Sequence, residues 1–172
     1  LPFLLLALVG CAPAAPDDGR LNVVATTGIL ADLVRSVGGD DVRVTALMGP
    51  GVDPHLYRAT EGDAERLAAA DLIVANGLHL EGKMGQVLER LGERTVAVAE
   101  AIPTADRLTP PEYAGAPDPH VWMGPALWQH AAESSRASLR PLLNYGTLLA
   151  QQGRLGEAEA TLAESVRRAP AS

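Results

Sequence analysis

Along the first hundred positions, short runs dense in β-branched and aliphatic residues alternate with stretches carrying apolar residues at helical spacing. Leu21-Asn22-Val23-Val24-Ala25-Thr26 predicts a buried strand. Thr27-Gly28 then turns into a helix with Ile29, Leu30, Leu33, Val34 and Val37 on one side, and Gly38-Gly39 stops it with the backbone freedom a helix C-terminus uses. Residues 42–47 predict a second strand, which runs into a loop over 48–59. Thr60 with Asp63 three positions later is a capping-box signal for a second helix through Leu67 and Ala70. Residues 71–76 predict a third strand. Leu80, Met84, Val87, Leu88 and Leu91 predict a third helix, and residues 94–99 a fourth strand. This alternation implies crossover connections and an α/β lobe: a four-stranded parallel sheet with flanking helices on both faces. Ligands of such sheets bind at the carboxyl ends of the strands.

The rest of the chain has a different character. Residues 101–119 are proline-rich and aperiodic, predicting a loop. Residues 126–169 read as nearly continuous helix with turns near Arg140-Pro141 and Gly153, and no further strand pattern follows. At the other end, residues 1–10 form an apolar run too short to span a bilayer as a helix. Leu8-Val9-Gly10-Cys11 resembles a bacterial lipoprotein box, which implies signal cleavage and lipidation at Cys11. With no start methionine or basic leader, the chain is expected to begin inside its signal. The expected organisation is therefore a signal remnant over 1–11, a tether over 12–20, an α/β lobe over 21–132 and an all-α helical hairpin over 133–172.

Composition narrows the function. With 47% hydrophobic and 20% charged residues, the 172-residue chain can bury an ordinary core. A net charge of −7 argues against a nucleic-acid partner, which requires a basic patch to neutralise phosphates. The single cysteine, Cys11, excludes an internal disulfide, and no Ser-His-Asp or Cys-His constellation is apparent.

The chemistry that remains is histidine chemistry. Asp53-Pro54-His55 and Asp118-Pro119-His120 repeat one tripeptide in two loops. Neutral imidazole is the commonest metal ligand, and the proline holds the residue before it extended, keeping helix from absorbing the ligand. Gly51-Val52-Asp53-Pro54-His55-Leu56-Tyr57, Asn76-Gly77-Leu78-His79-Leu80-Glu81 and Asp118-Pro119-His120-Val121-Trp122 together resemble the zinc/manganese-binding lipoproteins of bacterial metal ABC importers, over roughly residues 1–132. The resemblance implies a solute-binding protein, not an enzyme. It implies lipid anchoring at the envelope's periplasmic or extracellular face and delivery of Zn2+ or Mn2+ to a membrane permease. It carries two metal ligands onto His55 and His120; the family's other two come from a C-terminal lobe and map to no residue here. Two imidazoles are half of a tetrahedral zinc site and should bind weakly alone, with water, Asp53, Asp118, His130 or Glu133 as supplements. His79 is the tempting third ligand, but it maps onto no family ligand and is expected to pack near the lobe edge; Glu81 and His130 are expected on the surface or a helix face, and Tyr57, Trp122 and Trp128 in packing around the site.

The tail resembles one tetratricopeptide repeat through Leu142, Asn144-Tyr145-Gly146, Leu149, Gly153-Arg154, Glu157-Ala158, Leu162, Ser165 and Pro170. Such a unit cannot bury its own face and normally stacks on neighbours. The alternative function is accordingly an envelope interaction module whose tail docks a protein partner. A zinc hydrolase would require a third protein ligand and a general base at an open position.

Overall fold

A computed structural model describes residues 18–151 of the chain. The lipobox with Cys11, most of the tether and the second half of the repeat-like tail lie outside the described residues. Four parallel strands, β1 (Leu21–Thr27), β2 (Val42–Met48), β3 (Leu72–Ala75) and β4 (Thr95–Ala97), form one sheet in the order β2-β1-β3-β4. The helices are α1 (Gly28–Gly38), α2 (Glu61–Ala68), α3 (Gly85–Leu91) and α4 (Pro125–Gln151). The expected α/β lobe with a parallel four-stranded sheet is the fold observed.

Side-chain alternation along the strands builds two cores. Val23, Ala25, Leu72 and Val74 point to one face and pack with Leu30, Ala31, Leu33 and Val34 of α1 and Ala131, Leu139 and Leu142 of α4. Val24, Ile73 and Ala75 point to the other, against Leu67 of α2 and Leu88 of α3. Local signals fix the helix ends. Thr27 caps α1 by accepting the Leu30 N–H, and Gly39 takes φ 56° at its C-terminus. Thr60 and Asp63 form the reciprocal capping box of α2. Of the apolar positions read on one side of α1, Ile29, in the first turn, is exposed.

The largest departure lies in α4. A turn was expected at Arg140-Pro141, yet the helix runs from Pro125 to Gln151 with Pro141 inside it and without a break at residue 132. An internal proline removes one helical hydrogen bond and crowds the carbonyl four residues back. Leu139 and Leu142 flank it and are each 1% exposed. With Ala131 and Ser135 they form one buried stripe along α4, three of whose members belong to the first core, so tertiary burial on both sides of the proline carries the helix through. Leu142, which the repeat pattern assigned to a hairpin, is part of the α/β core.

Candidate metal centre

The chain leaves β1 for β2 on one side of the sheet and then crosses to β3 on the other, so the switch point lies between β1 and β3. Crevices at such points, beyond the strands' carboxyl ends, are where sheets of this type bind ligands. Three segments meet there: the His55 loop after β2, the loop 76–82 after β3, and the His120 segment leading into α4.

Each Asp-Pro-His folds identically at its start. The Asp53 carboxylate accepts the His55 backbone N–H at 2.9 Å, and the Asp118 carboxylate accepts that of His120 at 2.9 Å. This is the two-residue reach of an Asx turn. Asp118 does more: its Oδ1 also lies 2.6 Å from His120 Nδ1. A proton on Nδ1 there leaves Nε2 bare and outward, the arrangement that carboxylates impose on metal-binding histidines. Burial opposes charge on Asp118, but the hydrogen bonds from the His120 backbone and ring prevail and hold its carboxyl below the ordinary range.

The structure brings the two predicted histidines together. His55 Nε2 lies 3.4 Å from His120 Nε2, with ring centroids 5.4 Å apart at 62°. This is long against the usual hydrogen-bond range of about 2.7–3.2 Å. Two nitrogens each about 2.0–2.1 Å from one tetrahedral ion stand about 3.3–3.4 Å apart, a separation that this pair matches without any movement of the backbone. His55 is exposed and the His120 side chain is 34% exposed, so the pair faces outward rather than into the core. Trp122 packs edge-on against the His120 ring, centroids 5.2 Å apart. Tyr57 packs against the second core and donates to Asp63, and Trp128 lies against the first, so of the three aromatics expected around the site it is Trp122 that touches a histidine ring.

Among the described residues no group of three or more His, Cys, Asp and Glu side chains converges as a metal site would. The supplements named from sequence are engaged otherwise: Asp53 and Asp118 hold the histidine turns, and Glu133 accepts from Gln129 on the surface of α4. His130 lies half-buried on α4. His79 is exposed, with φ 64°, and lines a cavity of about 290 Å3 whose wall includes neither His55 nor His120.

Residues 23–143 match the family described as zinc-uptake complex component A, periplasmic. The chain belongs to this family. Within it, the chain is 46% identical over 140 residues to the manganese-binding lipoprotein MntA of Bacillus subtilis (strain 168), covering 78% of this chain and 45% of the relative. It is 50% identical over 131 residues to the zinc-binding protein TroA of Treponema pallidum (strain Nichols), covering 75% and 42%. The solved structure of the periplasmic zinc-binding protein TroA superposes with a TM-score of 0.63 at 42% identity, over 86% of this chain and 50% of that one. The Mn-bound periplasmic metal-binding protein from candidatus liberibacter asiaticus does so at 0.59 and 26% identity, over 87% and 53%. The chain thus spans about half the length of these zinc-uptake family relatives, and the family match extends past residue 132 to 143.

One residue of this family member was misread from sequence. Glu81, expected at the surface, is 3% exposed. Its carboxylate accepts the Thr26 hydroxyl at 2.7 Å, the Asn76 N–H at 2.6 Å and the Gly77 N–H at 3.1 Å. It thereby ties the end of β1 to the end of β3 directly beneath the switch point. Only its place after a strand, behind an Asn-Gly turn, hinted at this role; its partner Thr26 lies 55 residues away.

Proposed function

We propose that this chain is the first lobe of a metal-capturing component of a bacterial ABC importer, with His55 and His120 as two ligands of a transported Zn2+ or Mn2+. The observation that carries the reading is the 3.4 Å approach of the two Nε2 atoms, one of them oriented by Asp118. The names of the relatives support it: a manganese-binding lipoprotein and a zinc-binding protein. The family description, an uptake component, favours a carrier over an enzyme. On this reading the remaining ligands come from outside the described residues, since two imidazoles complete neither a zinc nor a manganese shell. Cys11 is the site of a lipid anchor that holds the protein at the outer face of the membrane beside its permease, and the lipoprotein name of MntA supports that assignment.

Calorimetric titration of the full chain with Zn2+, and separately with Mn2+, tests the reading. The isotherm should collapse in the His55→Ala/His120→Ala double variant. An isotherm indifferent to both substitutions would overturn it.

A further inference from the structure

We propose that loop 76–82, through Asn76 and Gly82, sets the separation of the two histidines, making both of these positioning residues for the metal pair. The loop reaches both histidine turns. On one side, the Asn76 side-chain amide donates to the carbonyl of Pro119 at 2.9 Å, the residue immediately before His120. Its second donor bond, to the Gly77 carbonyl at 3.0 Å, fixes the amide's orientation, and Asn76 is fully buried. On the other side, Gly82 lies flush against the His55 backbone: a Cβ there would stand 2.4 Å from the His55 carbonyl oxygen and 3.2 Å from its carbonyl carbon. Backbone atoms cannot rotate aside as a side-chain tip can, so any residue but glycine displaces the His55 turn.

The loop can act as a spacer because its own position is fixed. Glu81, next to Gly82, is held by three donors from the ends of β1 and β3, while the Leu78 N–H donates to Glu100 at 3.1 Å. Gly77, Leu78 and His79 all have positive φ, a tight left-handed run that turns the chain back from Asn76 toward Gly82. The distance between the rings is therefore transmitted from Pro119 through Asn76, round the loop, to Gly82 and His55. Neither Asn76 nor Gly82 touches metal in this scheme.

The functional consequence rests on the metal reading above; the positioning itself does not. The test therefore has two readouts on the full chain: the proton NOE between the His55 and His120 rings in chelator-treated protein, and the affinity for Zn2+. Gly82→Ala should abolish the ring-to-ring NOE and weaken Zn2+ binding about 10–100-fold, the range seen when support behind metal ligands is removed. Gly85→Ala, where an added Cβ meets nothing within 4 Å, should leave both unchanged. Asn76→Asp replaces the donor to Pro119 with an acceptor, carries the same test from the His120 side, and decides the matter if Gly82→Ala does not fold. A wild-type NOE in a folded Gly82→Ala or Asn76→Asp protein overturns the proposal. Loss of the NOE with Zn2+ binding indifferent to His55 and His120 upholds the positioning and overturns the metal reading instead.

Discussion

Removing the Glu81 carboxylate is the sharpest test of how the site is built into the fold. Its two oxygens accept three donors, two on Oε1 and one on Oε2, in a place that is 3% exposed. Each buried donor left without an acceptor costs about 1–3 kcal/mol. In Glu81→Ala all three are orphaned, and a water entering the vacated volume re-satisfies part of them. The expected loss of stability is then about 3–5 kcal/mol, among the large effects of single substitutions. Glu81→Gln is more discriminating. Its amide oxygen can still serve Thr26 and the Asn76 N–H, but its amide nitrogen confronts the Gly77 N–H. One bond is lost and one donor pair opposed, so about 1–3 kcal/mol is expected. Urea unfolding followed by circular dichroism gives both values, provided the slopes match wild type. The order wild type, then Gln, then Ala is the signature of a dual-oxygen acceptor. A Gln variant within about 0.5 kcal/mol of wild type, the range of ordinary surface changes, would refute the network.

Three further outcomes follow from other parts of the structure. Leu142→Ala should cost about 2–5 kcal/mol, as truncating a buried leucine does, and chain cleavage after Ala132 should destabilise the lobe more, since Leu139 is lost as well; thermal unfolding of the two species measures this. Asp118→Ala should weaken metal binding about 10–100-fold, because it removes the oxygen that accepts both the His120 backbone N–H and its ring Nδ1–H and so orients the ring; titration calorimetry measures the loss. Asp63 supplies the pH dependence. Burial disfavours its charge, but hydrogen bonds from Tyr57, Thr60 and Arg66 outweigh that and hold its carboxyl below the ordinary 3.8, while the Tyr57 hydroxyl is pushed up to about 12. A carboxyl depressed in the folded state contributes stability that is fully present above 3.8 and lost as pH falls through its folded value. The advantage of wild type over Asp63→Asn should therefore be constant near neutrality and shrink below about pH 4.

What could be read from sequence was local, and what could not was tertiary. The strands followed from β-branched runs, the α2 capping box from two residues three apart, and the loop placement of both histidines from the proline before each. Propensity predicts a break in α4 at Pro141; only the burial of Leu139 and Leu142 in a core built with α1 and the strands, all far earlier in the chain, overrides it. Glu81 was read as a surface acid because charge usually is, and nothing adjacent to it announces Thr26 as a partner. The pairing of His55 with His120 was suggested by a repeated motif, but their 3.4 Å separation required the loop between them in space, which is far from both in sequence.

The approach of the two rings also bears on rate. Once one imidazole has taken an ion from solution, the second nitrogen already stands within bonding distance of it. Chelation on the proposed site then needs loss of a hydration water but no backbone motion, so the first two bonds should form in quick succession. Escape requires both to break before either re-forms.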